Sequence, residues 1–252
     1  MNVTNNKFEL CYPIMENSFH NVLQNLFLHK NEKDVIYEIR IDYLLNAGHS
    51  TFSIVHMLNI IRNLHQRKKF IITIRTKTEG GKISISEGEY YEIIKLIIDN
   101  TNMDYYDIEY NFYINNKKKF DTLILNTHKK IILSTHIFDK VYSNKKYNSI
   151  FKETLKAKVD IVKFAIMTYT KKEVMEFMKT SRLNSVKLKK QNKNGIFIAM
   201  GELGKISRVY PEYTNSVVVF IKNDNKTHDI LGQTTKTEFF KCRKLLAKCL
   251  KN

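Results

Sequence analysis

The sequence predicts an α/β protein, a single-domain (β/α)8 TIM barrel spanning residues 1–252. Three observations point there. Short β-rich runs alternate with stretches of helical period, and eight such units in about 250 residues is the arithmetic of this barrel. Polar residues gather at the C-terminal ends of the runs, the edge where barrels of this kind carry their chemistry. The runner-up, a doubly wound open sheet, offers fewer units and a glycine-rich first turn, whereas residues 13–17 contain no glycine.

In chain order, residues 8–14 read as the first strand. Residues 16–30 carry Phe19, Val22, Leu23, Leu26 and Phe27 at helical spacing. Residues 34–41 are the second strand, and Ser50 or Thr51 caps a helix with Ile54, Val55, Leu58 and Ile61 on one face. The third strand is 69–75. Ser86 and Glu89 then form a capping box ahead of Tyr90, Ile93, Ile94 and Ile97. Residues 105–110 are the fourth strand, 117–128 a weaker helix, 130–135 the fifth strand and 147–157 a helix. The sixth strand is 160–167. Thr170 and Glu173 make a second capping box before Val174, Phe177 and Met178. Residues 195–200 and 216–221 are the last two strands. Thr235 and Glu238 cap a final helix that puts Phe239, Cys242, Leu246 and Cys249 on one face, where the cysteines read as core.

Composition narrows the function classes. Hydrophobic residues at 43% and charged residues at 27% are an ordinary globular balance, which excludes a disordered chain. No apolar segment approaches the ~20 residues that span a bilayer. Residues 1–7 are polar, so no signal peptide is expected. Cys11, Cys242 and Cys249 form neither an even framework nor a C-x-x-C pair, which points to the cytosol and to no zinc site. The net charge of +17 suggests an anionic partner such as nucleic acid. The lysines are scattered, however, and the clusters at 117–119 and 187–193 sit in Asn-rich stretches that read as solvated surface loops. With no nucleic-acid motif present, no nucleic-acid partner is expected; a salt-dependent shift of DNA or RNA would be the sign of one.

The sixth strand, Asp160-Ile161-Val162-Lys163-Phe164-Ala165-Ile166-Met167, is an apolar run with one lysine in its middle. Runs of this kind are buried on both faces of a parallel sheet. Taken alone, Lys163 reads more readily as a lysine whose stem packs while its head reaches water. The alternative is a buried amine with space beside small Ala165, as a Schiff-base enzyme requires. Strand ends elsewhere add further candidates. Period-two alternation puts Glu38, Arg40 and Asp42 on one face, to satisfy either each other or a polar ligand. Arg75 leaves the third strand, and Glu79 precedes Gly80-Gly81, a pair suited to a tight turn. His136 ends the fifth strand, where it can carry a proton near neutral pH. Met200-Gly-Glu-Leu-Gly-Lys-Ile-Ser-Arg208 follows the seventh strand, with Arg208 placed for a bidentate grip on a carboxylate. Gly232-Gln233 precedes the last helix.

In this order, from the second strand to the last helix, these motifs resemble the type I 3-dehydroquinate dehydratase family. The resemblance implies a barrel that dehydrates 3-dehydroquinate to 3-dehydroshikimate, toward chorismate and the aromatic amino acids. It implies Lys163 as the imine-forming lysine, His136 as the proton carrier and Glu79 as its orienting partner. It further implies that Arg208 holds the substrate carboxylate with Arg75 nearby. Glu38 and Arg40 would meet the ring hydroxyls, Met200 would pack on the ring, and Gln233 would close the site. No metal or cofactor is expected, no membrane is involved, and a cytoplasmic homodimer is implied. The last loop reads Asp229-Ile230-Leu231-Gly232-Gln233 where the family often has Ser-Ala-Pro-Gly-Gln, and Ile137 stands where an acidic or polar residue is common. The alternative activity is that of another Schiff-base lyase or aldolase, which would want a phosphate cradle after strands seven and eight.

Overall fold

The computed structural model describes residues 8–249 except 30, 33 and 223–231. Among them are eight strands alternating with helices: β1 (Glu9–Ile14), β2 (Val35–Arg40), β3 (Lys69–Thr73), β4 (Tyr105–Glu109), β5 (Lys130–Ile137), β6 (Ile161–Met167), β7 (Asn194–Met200) and β8 (Val218–Phe220). They form one sheet in the order β7-β6-β5-β4-β3-β2-β1-β8. The registers of β1 with β8, β2 with β3, β3 with β4 and β4 with β5 are all parallel. A parallel bridge from Gly195 to Ser216 links the beginnings of β7 and β8, the two ends of that order. The expected (β/α)8 fold is therefore present, as a nearly closed barrel. No helix among the described residues is long and apolar enough to cross a membrane.

The chain divides into two compact units. One comprises residues 13–136 and 156–161; the other comprises 1–12, 137–155 and 162–252. In the first unit, the helices Thr51–Leu64 and Glu87–Asn100 start on Ser50 and Ser86, whose hydroxyls accept the backbone N–H groups of Ser53 and Glu89. Glu89 returns the bond to Ser86, completing the box. Ile54, Leu58, Ile61, Ile94 and Ile97 are fully buried from these two helices, each burial contributing about 1.5–3 kcal/mol.

In the second unit, the helix Lys171–Lys189 starts with the Thr170–Glu173 box. Tyr147 packs edge-on against Phe164 of β6 with ring centroids 4.8 Å apart, and its hydroxyl meets Ser181 at 3.0 Å. That bond satisfies a phenol that is otherwise wholly buried in an apolar layer.

Several boundaries differ from the sequence reading. β2 ends at Arg40 and the chain turns at once into the helix Ile41–Asn46, so Asp42 is helical rather than part of the strand. β3 ends at Thr73, which leaves Arg75 beyond the strand, and β5 runs on to Ile137. The helix expected at 147–157 spans Asn144–Lys156. Lys117 to Lys119 and Lys187 lie exposed on helices, not in loops. The last helix, Lys236–Cys249, buries Phe239 and Arg243, while Cys242 is half-buried and Cys249 exposed. Arg243 wins that face because Glu212 (2.6 Å) and the Val209 carbonyl (2.9 Å) satisfy its guanidinium, and the Phe8 ring lies 5.1 Å from it.

Candidate active site

The site residues of the first unit meet around Arg75, which is 3% exposed. Its Nη1 donates to Glu79 (3.1 Å), Glu109 (3.1 Å) and the Ser134 hydroxyl (2.9 Å), and its Nη2 donates to Asp107 (2.8 Å). One guanidinium thus serves three buried carboxylates. Glu79 sits in the turn Lys77–Glu79, which closes with Gly80 at φ 85°. A Cβ at Gly81 would lie 1.8 Å from the Arg75 carbonyl, so this close return of the chain needs glycine there.

Glu79 Oε2 accepts from the His136 backbone N–H (3.1 Å) and meets His136 Nδ1 at 2.8 Å. When the proton that the two side chains share lies on Nδ1, the ring is oriented and Nε2 becomes its acceptor. Burial pushes the Glu79 carboxyl up to about 8. Arg75 pulls the other way, and Glu109 and Asp107 push it up further.

At the end of β2, Glu38 is buried and accepts the Thr73 hydroxyl at 2.9 Å. Arg40 makes a two-pronged bond to Asp42, 2.8 Å on each prong. Asp42 also accepts the backbone N–H groups of Arg75 (3.4 Å) and Lys82 (3.1 Å), tying down both ends of the loop that bears Glu79.

In the second unit, Lys163 lies in the middle of β6 at 4% exposure, so its head does not reach water as a surface lysine's would. Its Nζ stands 4.2 Å from the centroid of the Phe220 ring on β8. Arg208, in the short helix Lys205–Val209, is also 4% exposed. It donates to the Ala199 carbonyl at 3.1 Å, and its Nε is buried without a partner. No carboxylate among the described residues pairs with it at salt-bridge distance. Burial pulls its pKa down to about 10, partly offset by Glu202, so it keeps its charge at neutral pH. A buried cation with no carboxylate at salt-bridge distance among the described residues has donors left for an anionic ligand.

The loop ahead of the last helix lies against Arg208. Gly232 has φ 75°, and a Cβ there would fall 2.4 Å from the Gly201 carbonyl and 3.3 Å from Arg208 Nη1. Gln233 follows, 9% exposed, with a buried Oε1 that has no partner. Met200 is buried at the end of β7, and its carbonyl accepts both the N–H and the hydroxyl of Thr168.

A model of the family described as type I 3-dehydroquinase matches residues 10–246. The chain belongs to that family. As a type I 3-dehydroquinase it is a hydro-lyase of the shikimate pathway. It is 31% identical to the 3-dehydroquinate dehydratase of Streptococcus suis (strain 98HAH33) over 86% of this chain and 90% of that one. With the enzyme of the same name from Streptococcus thermophilus (strain ATCC BAA-491 / LMD-9) the identity is 28% over 94% and 98%. Among solved structures, 3-dehydroquinate dehydratase from Geobacillus kaustophilus HTA426 matches with a TM-score of 0.82 at 21% identity, covering 95% of this chain and 91% of that one. The type I enzyme from Clostridium difficile, solved with covalently modified comenic acid, gives 0.81 at 22% identity over 96% and 92%. At those identities the two structures speak for the fold.

Sequence reasoning missed three residues that touch the candidate side chains: Asp107 and Glu109 at Arg75, and Phe220 at Lys163. Asp107 and Glu109 were hidden in the fourth strand, although their spacing of two is the same signal that marks Glu38 and Arg40. Phe220 gave no signal, since an aromatic residue in a buried strand reads as core. Asp229 lies outside the described residues.

Proposed function

We propose that this 3-dehydroquinase converts 3-dehydroquinate to 3-dehydroshikimate through an imine on Lys163. The observation that carries the reading is a lysine buried in mid-strand with an aromatic ring against its amine. The neutral amine adds to the substrate ketone and water leaves, forming the imine. The protonated imine draws electrons, which acidifies the neighbouring C–H. His136 Nε2 takes that proton, giving an enamine. The electron pair returns to expel the ring hydroxyl, which leaves as water with the proton His136 carried. Water then hydrolyses the imine and releases the enone product and Lys163.

Glu79 holds Nδ1–H, orients the ring and favours the imidazolium when it forms. Arg208 forks onto the substrate carboxylate through the donors it has to spare. Glu38 and Arg40 address the ring hydroxyls, Met200 packs on the ring, and Gln233 offers its amide from the last loop. Arg75 serves the site as the cation that holds Glu79. In this reading both units form one catalytic domain, which works as a homodimer in the cytoplasm; sedimentation analysis tests the dimer. The aldolase alternative has no observation on its side. The test is Lys163→Ala, assayed by the ultraviolet absorbance of the enone. Turnover should vanish, and a rate near that of the unaltered enzyme would remove the imine from the mechanism.

A further inference from the structure

Four donors converge on the wholly buried carboxylate of Asp42. Its Oδ1 accepts Arg40 Nε (2.8 Å) and the Arg75 N–H (3.4 Å), and its Oδ2 accepts Arg40 Nη2 (2.8 Å) and the Lys82 N–H (3.1 Å). Each oxygen is thus shared between one nitrogen of Arg40 and one end of the loop 75–82. That loop closes on itself: the Gly81 N–H donates to the Thr76 carbonyl and the Lys77 N–H to the Ile83 carbonyl, both at 2.8 Å. Glu79 rides in its turn.

We propose that Asp42 is a positioning residue that couples two tasks of the site: it aims the Arg40 guanidinium at the ring hydroxyls of the substrate, and it holds the loop that carries Glu79. The proposal rests on the reading of Arg40 as a ring-hydroxyl contact and of Glu79 as the partner of His136.

The argument is geometric. Residues two apart in a strand stand roughly 6–7 Å from each other along it. The turn from β2 into the helix Ile41–Asn46 brings Asp42 back onto Arg40 and makes the fork. The fork fixes the guanidinium plane and occupies its Nε and Nη2 edge, while Nη1 makes no hydrogen bond to any described residue. The side chain keeps 11% exposure, which leaves that edge within reach of a ligand. Tyr43 of the same helix takes both partners on its ring, Arg40 at 5.4 Å and Lys82 Nζ at 5.3 Å from the centroid. A shift of the fork therefore moves the acceptor of both loop ends, and a shift of the loop bears on the fork.

Asp42→Asn is the decisive variant. It keeps the shape, but whichever way the amide is turned its NH2 faces one Arg40 nitrogen and one loop N–H, donor against donor. KM for 3-dehydroquinate should rise roughly tenfold or more as Arg40 loses its aim, and kcat should fall because Glu79 loses its seat. In the ligand-free protein, hydrogen exchange at the Lys82 amide should quicken by roughly tenfold or more. Arg40→Lys keeps the charge but cannot make the fork. The coupling is reciprocal, so this variant too must quicken exchange at Lys82 and lower kcat. In the double variant KM should stay near that of Arg40→Lys alone, because Asp42 acts on KM through Arg40.

A folded Asp42→Asn protein with KM and kcat unchanged overturns the proposal, since a carboxylate that only stabilises the fold leaves both in place once the protein is folded. KM effects that multiply in the double variant overturn it as well. If the unaltered protein fails to turn over 3-dehydroquinate, the functional reading falls, and exchange at Lys82 still decides whether Asp42 links Arg40 to the loop. Should Asp42→Asn not fold, Arg40→Lys decides: exchange at Lys82 and kcat both left as in the unaltered protein would show that no coupling exists.

Discussion

Arg208 puts binding and stability in opposition, and Arg208→Met separates them. The side chain is 4% exposed, its Nε is orphaned, and its described bond is to the Ala199 carbonyl. The fall of its pKa from the ordinary value to about 10 corresponds to roughly 3 kcal/mol for holding the charge without a counter-charge. Methionine fills similar volume with no charge. It forfeits the bond from this charged donor to the Ala199 carbonyl, worth roughly 1.5–2 kcal/mol, and leaves a net gain of about 1 kcal/mol in the ligand-free protein. At roughly 2–4 °C per kcal/mol, Tm should rise by about 2–4 °C.

Binding should move the other way. Two charge-assisted bonds to the substrate carboxylate are worth about 3–4 kcal/mol together. KM should therefore climb by roughly a hundredfold or more, with a smaller effect on kcat. The assays are a calorimetric melt without ligand and steady-state kinetics with 3-dehydroquinate. A Tm that falls by several degrees would show that Arg208 is a structural cation. An unchanged KM would show that the carboxylate is held elsewhere. Either result refutes the reasoning.

Other perturbations probe the rest of the site. His136→Ala should still capture substrate as an imine on Lys163 but stall before product; mass spectrometry of the borohydride-reduced protein checks this, and the lack of any adduct would give the histidine an earlier role. Gly232→Ala should cost roughly 1–3 kcal/mol of stability and much of the activity, because its positive φ and the 2.4 Å approach to the Gly201 carbonyl leave no room for a Cβ; a neutral result in both melting and kinetics would show that the loop is not seated on Arg208.

The barrel was legible because parallel strands covered on both faces leave continuous apolar runs, and β6 is buried along its length as its sequence suggests. Helix starts were legible because capping boxes are local chemistry, and all three form. Alternation placed Glu38, Arg40 and Asp42 on one face. The pairing of Arg40 with Asp42 survives, but it forms across a strand-to-helix turn that a period-two pattern does not register.

What escaped the sequence was long-range. Apart from Glu79, Arg75 draws its side-chain partners from β4 and β5, 32 to 59 residues away. No local pattern says that three carboxylates will share one cation. Phe220 reaches Lys163 from β8, and its apolar ring is indistinguishable from core until the register is known. The cysteines of the last helix were misread because Arg243 takes the buried face by finding Glu212, a partner 31 residues upstream.

The central claim is that Lys163 is the nucleophile, and borohydride trapping tests it most directly. The protein is mixed with 3-dehydroquinate, reduced, digested and mapped by mass spectrometry. The account predicts a substrate-derived adduct on Lys163 and none on the other lysines. A folded, active enzyme that yields no adduct, or one that carries it on another residue, would contradict it.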